Sequence, residues 1–175
     1  MTGTQIKTLA ETYLDGDTIA DTDAISWINE CMIEDLGVDN RYLKSVAITT
    51  TDTTTWKDLP ADFLAVYGID LIDGSEYAGS YRIRSGKILF PFASTFTVWY
   101  YALPAEITAL TETPQTHSLL HKAISLFLAS RYKYKDDDEN RDAGRLMVEY
   151  EQKKRHALIQ IDNPVQDSSP VIRVV

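Results

Sequence analysis

A single cysteine, Cys31, stands in 175 residues, so the chain cannot close an internal disulfide. Histidine is nearly as scarce, with only His117, His121 and His156. His117 and His121 lie four apart on a predicted helix, but Ser118 occupies the position where a zinc-protease pattern requires Glu. With His156 distant, no third ligand completes a metal site, and both are expected to be solvated helix residues. Long apolar runs are missing, which excludes a membrane-spanning helix. The opening stretch, MTGTQIKTLAETYLDG, has neither the basic start nor the apolar centre of a secretory signal, so synthesis in a reducing cytosol is expected.

Other absences bear on chemistry. No Gly-rich phosphate loop, G-x-S-x-G elbow or cysteine pair is present. The acidic run beginning at Asp136 places Arg141 and Met147 where a calcium loop needs Gly and Glu, and the same test from Asp21 finds Ser26 and Met32. Glu30 and Glu34 flank Cys31 and would raise a thiol pKa, so Cys31 is expected to be a partly buried small apolar residue. With 26 acids in the chain, any carboxylate pair is uninformative. No catalytic, cofactor-binding or metal-binding residue is predicted, and no cofactor.

What the chain does have is acid, unevenly placed. The net charge is −9, and residues 1–40 hold nine acids against one base, Lys7. The other 135 residues hold 17 acids and 16 bases. Such a field opposes phosphate binding, which needs Lys and Arg to displace counterions, and argues against direct nucleic-acid recognition. A solvated face that aids solubility is the plain reading. The wall of a path that DNA passes without being gripped is the functional one.

Periodicity gives an α+β chain. Helices are predicted over 4–14, with Thr4 as cap, and over 22–36, capped by Asp21, Thr22 or Asp23 and stopped by Gly37. Together they make an αα-hairpin. Residues 45–103 read as a small antiparallel β-unit, its clearest part the hairpin YRIRSGKILF with a tight turn at Ser85-Gly86. Helices return over 116–134, with Thr116 as cap and the most apolar face in the chain, and over 141–161. The expected fold is therefore a helical bundle of two N-terminal and two C-terminal helices with an inserted β-unit. Residues 1–161 form one domain and 162–175 an extended C-terminal tail.

Three stretches need explanation. In TFTVWYY both faces of one strand are apolar or aromatic, so both must be covered, by core on one side and by helix, partner or ligand on the other. Internal packing and a subunit interface both fit, since Tyr and Trp are enriched at interfaces. The end, SSPVIRVV, is too apolar for a solvated terminus; it is either a frayed end or a segment that adds to another surface. WKDLPADF has no partnered acid, base or nucleophile. It reads as a rigid corner pinned by Trp56, Leu59 and Phe63, with Asp58 or Asp62 as its cap.

The order of these parts resembles the head–tail adaptor (connector) proteins of tailed bacteriophages. The resemblance rests on WKDLPADFLAVYGID, YRIRSGKILF, TFTVWYYALP and the run TETPQTHSLLHKAISLFLASRYKYKDDDENRDAGRLMVEYEQ, and covers about residues 1–161. It implies a virion structural protein, not an enzyme, assembled as a ring commonly of twelve subunits beneath the portal protein. The ring would extend the DNA channel and meet the next tail or neck protein, a nozzle, stopper or tail tube. By the same resemblance the tail, with Val165, Val171, Ile172, Arg173, Val174 and Val175, docks on the portal. Trp99, Tyr101, Arg82 and Arg84 are candidates for inter-subunit or tail-facing contacts. The large β-unit is more like the adaptors of short-tailed phages than the mostly helical simplest members. Alternatives of related and different class are a stopper or tail-completion protein of the neck, and a cytosolic small-molecule binder or enzyme using the aromatic β-unit.

Overall fold

The computed structural model describes residues 1–40, 42–135 and 140–162, in an α+β arrangement of four α-helices and two small antiparallel sheets. Helix α1 spans Gly3–Glu11 and starts earlier than its expected Thr4 cap. Thr2 and Gln5 form a reciprocal capping box instead, and the Gly3 and Thr4 amides donate to the Glu112 and Leu110 carbonyls at 2.9 and 2.8 Å. A side chain at Gly3 would meet the Leu110 backbone at 3.1 Å, so close approach of two backbones sets this start.

Helix α2 spans Asp21–Glu30, and no side chain caps it. The acids expected to do so make tertiary ion pairs instead, Asp21 with Lys7 at 2.6 Å and Asp23 with Lys135 at 2.8 Å. They still lie in the first turn, where negative charge complements the helix dipole. The helix runs on as a wider π-helical segment, Cys31–Leu36, and ends at Gly37 with φ 46°.

Helix α3, His121–Lys135, follows a 3-10 turn at Ser118–Leu120 whose cap is His117 and not Thr116. It is the centre of the bundle. Ala123, Ile124, Leu126, Phe127, Leu128 and Ala129 are all buried, and so are Ser125 and Ser130, because neighbours surround it. Helix α4, Asn140–Asp162, lays Leu146, Tyr150 and Ala157 against it, as the sequence period indicates.

Residues 43–102 form two three-stranded antiparallel sheets, over nearly the range predicted for the β-unit. The strands are β1 (Leu43–Thr50), β2 (Lys57–Asp58), β3 (Phe63–Leu71), β4 (Arg82–Arg84), β5 (Lys87–Leu89) and β6 (Ser94–Ala102). Their orders are β1-β6-β3 and β2-β5-β4. The β4–β5 turn has positive φ at both Ser85 (51°) and Gly86 (71°), the geometry that matches strand twist in a two-residue hairpin. A second core of Ile48, Leu59, Ile69, Ile88, Phe90, Phe96 and Val98 draws on both sheets. Phe90 and Phe96 stack at 3.7 Å and Tyr77 meets both edge-on.

The threonine run after β1 is a turn organised by Asp52. Its carboxylate accepts the Thr54 and Thr55 amides at 2.8 and 2.7 Å and their hydroxyls, which holds its pKa well below the usual range. At the WKDLPADF corner, Leu59 enters the core, Phe63 packs on it, and Trp56 is half-buried outside it. The Phe63 amide closes the turn on the Pro60 carbonyl at 3.0 Å. Asp58 and Asp62 do not cap it; they pair with Lys87 and Lys44.

Phe96→Ala removes one ring of the stacked pair near the start of the central strand. It should cost about 3–5 kcal/mol, read as a lower denaturation midpoint.

Candidate functional site

Among the described residues the β1-β6-β3 sheet buries one face and leaves the other open. Along β6, Phe96, Val98 and Tyr100 point inward and Thr95, Thr97, Trp99 and Tyr101 outward, as strand alternation requires. Register places Leu43 opposite Tyr101 and Gly68 opposite Trp99. Leu43, Tyr67 and Trp99 are therefore exposed together, with Tyr67 63% accessible, and Ile72 is exposed just past the end of β3. The Trp99 indole nitrogen donates to Asp70 at 2.7 Å, and Tyr67 meets Tyr101 edge-on at 5.6 Å. These contacts hold large rings in place before any partner arrives, which lowers the entropy cost of binding.

The four predicted contact residues therefore divide. Trp99 and Tyr101 sit on this open face. Arg82 and Arg84 lie on β4, an edge strand of the other sheet, beside Lys87, which is paired to Asp58 at 3.0 Å. Val165, Val171, Ile172, Arg173, Val174 and Val175 lie outside the described residues. Leu43 and Ile72 carry no signal in the sequence, and Tyr67 is legible there only as one of the many aromatics of the β-unit. Only strand register shows that Tyr67 joins Trp99.

Buried polar groups are structural braces. The Tyr150 hydroxyl donates to Asp35, Lys154 reaches the same carboxylate at 3.1 Å, and Cys31 lies 3.7 Å from the hydroxyl. Cys31 is fully buried rather than partly so, and burial pushes its thiol pKa, like that of the Tyr150 phenol, well above normal. That makes an inert thiol. On the β-unit, Lys44 donates to Asp62 at 2.6 Å and holds its carboxyl below the usual range, while Tyr100 donates to it at 3.2 Å. Among the described residues no three His, Cys, Asp or Glu side chains gather as a metal-binding group.

His121 departs from its expected solvation. It is 2% exposed, because its α3 face is enclosed by the bundle, and its Nδ1 lies 2.7 Å from the Met1 nitrogen. Burial lowers its pKa to about 4; the Met1 ammonium and His117 act the same way, and the Pro114 and Thr116 backbone opposes them.

Fold and surface together define a small α+β protein with an exposed aromatic sheet face and a basic strand edge. The chain belongs to the SU10 adaptor protein family, a family of phage head–tail adaptors, whose model matches residues 1–174. No curated protein matches the chain. Membership carries an adaptor role in a bacteriophage virion. Among the described residues no helix is long and apolar enough to cross a membrane.

The His121 shift sets a pH dependence. Its folded pKa, about 4, lies below the ordinary 6.5, so the unfolded chain binds the extra proton between these values. Stability is full above about pH 6.5 and falls as pH drops toward 4, by on the order of 3 kcal/mol. Asp62, with its lowered pKa, withdraws its own contribution at lower pH still. Denaturant midpoints from pH 7 to 4 check this, and His121→Gln should flatten the decline.

Proposed function

We propose that this protein is a ring-forming head–tail adaptor that docks on the portal protein and joins the capsid to the tail. The family match over residues 1–174 carries the reading. Residues 1–161 act as one adaptor-like unit, and the segment 162–175 reaches the portal through Val165, Val171, Ile172, Arg173, Val174 and Val175. The ring, of twelve subunits, extends the DNA channel, and the role is structural, with no chemistry of its own.

Charge supports the channel. Asp15 and Asp39 have no ion-pair partner among the described residues, so the acidity of residues 1–40 is not fully cancelled by them. A wall of that sign lets DNA slide without releasing counterions to bind it. The open sheet face with Trp99 and Tyr101, and the basic edge with Arg82 and Arg84, are offered to the next neck or tail component. Aromatic anchors and arginines are the residues that most often dominate such interfaces.

Mixing the purified chain with portal rings of the same phage tests this. The full chain should co-sediment with the portal as a ring. A chain ending at Asp162 should keep its helical signal and bind at least about ten-fold more weakly, because the tail is its main anchor. A monomer that ignores portal rings would contradict the proposal, and undiminished binding by the truncated chain would remove the tail from it.

A further inference from the structure

A closed ring of identical subunits needs two different complementary faces on each copy. The helical bundle carries two such faces of opposite charge. Helix α4 turns Leu146, Tyr150 and Ala157 inward and presents Arg141, Arg145, Val148, Gln152, Arg155 and Ile159 on the opposite side. Those six recur at alternating steps of four and three, the spacing of a helix–helix seam. The seam holds three arginines, two aliphatics and no acid. Val148 and Ile159 are 58% and 56% exposed, large values for aliphatic residues on a helix. Beside Val148, Tyr134 and Met147 line a mostly apolar groove of about 370 Å3.

The second face lies on α2, where its outer side meets the segment after β6. Ser26, Asn29, Ile33, Glu34 and Glu106 line a groove of about 630 Å3 together with Glu30 and Arg131, which pair with each other at 2.8 Å and leave Glu34 and Glu106 as its net charge. Glu34 and Glu106 have no basic partner among the described residues, and Arg141 and Arg155 no acidic one. The inward side of helix α4 meets the π-helical segment that follows α2, where Tyr150 and Lys154 hold Asp35. The arginine seam points away from that contact, and of its arginines only Arg145 has acidic partners among the described residues, Asp142 and Glu149 of the same helix.

We infer that the α4 seam of one subunit packs into the acidic α2 groove of a second copy of this chain, placing Arg141 and Arg155 against Glu34 and Glu106. Ser26 lets the incoming helix approach, and Ile33 meets its aliphatic residues. A 23-residue helix, about 34 Å long, gives the contact length. This rests on the ring-forming reading of the function and names the surfaces that would build the ring. The basic edge at Arg82 and Arg84 lies on the β-unit and is left for other partners.

Reciprocal charge reversal tests it, read by native mass spectrometry and sedimentation velocity with and without portal rings. R141E/R155E has two acidic faces and E34R/E106R two basic ones. Each alone should assemble at least about ten-fold more weakly than the parent, since opposed like charges disfavour contact. Mixed in equal amounts they should recover rings in which the two alternate. The neutral R141Q/R155Q should fall between, and R82E/R84E should assemble normally. Recovery in the mixture shows both variants folded, and thermal midpoints check each separately. If either reversal assembles like the parent, or the mixture of folded variants fails, the face assignment is wrong while the ring stands. If the parent itself stays monomeric with portal present, the ring reading fails, and this inference with it.

Discussion

Two hydrogen bonds between the Asn29 side chain and the Ile107 backbone, at 3.0 and 2.9 Å, hold the chain leaving β6 against α2. The rest of the architecture depends on that hold. This protein has two hydrophobic cores, one among helices and one between sheets, and no helix packs broadly on a strand among the described residues. The β-unit is kept in place by its ends. Asn40 bonds the Gln115 carbonyl at 3.1 Å, Gln115 in turn accepts the Ala105 amide at 2.9 Å, and the Leu103 amide donates to Asp62 at 2.7 Å. The connecting segment also sends Ile107 and Leu110 into the helical core and supplies the backbone on which α1 starts. Side-chain amides suit this task because each can satisfy a backbone donor and an acceptor at once.

Such a body offers surfaces rather than a cleft. The open sheet face keeps its rings ordered through Asp70 and Tyr101, and the bundle carries acid on one flank and arginine on another. Internal pairs consume part of that charge, as with Asp23 and Lys135 or Glu30 and Arg131, and so position helices while leaving selected groups free. Exposed pairs of this kind contribute little stability individually. Their greater effect is on which charges remain for partners.

Helix positions were readable from the sequence because the apolar spacing at Ile28, Met32 and Leu36, and again at Leu120, Ile124, Phe127 and Leu128, is set by burial. The Ser85-Gly86 turn was readable because its backbone needs positive φ at two successive positions. The misses lie where tertiary contacts outweigh local preference. Thr4 lost the cap to Thr2 because Leu110 and Glu112 bind the helix start. The π-helical register at Cys31–Leu36 has no signature in CMIEDLG; it accompanies a tertiary contact of Asp35 with Tyr150 and Lys154, more than a hundred residues away. His121 was expected to be solvated because no third ligand accompanies it and His117, whereas the α3 face it lies on is enclosed. Trp99 and Tyr101 were legible as a face needing cover, but Tyr67 was not, since strand register is a long-range property.

Family membership and surface together describe a joint within a virion. A single-particle reconstruction of the virion neck tests that account most directly. It should show a closed ring of this α+β fold between portal and tail, with the bundle's acidic side toward the DNA channel. A neck in which portal and tail components meet directly, with no density for this chain, would contradict it.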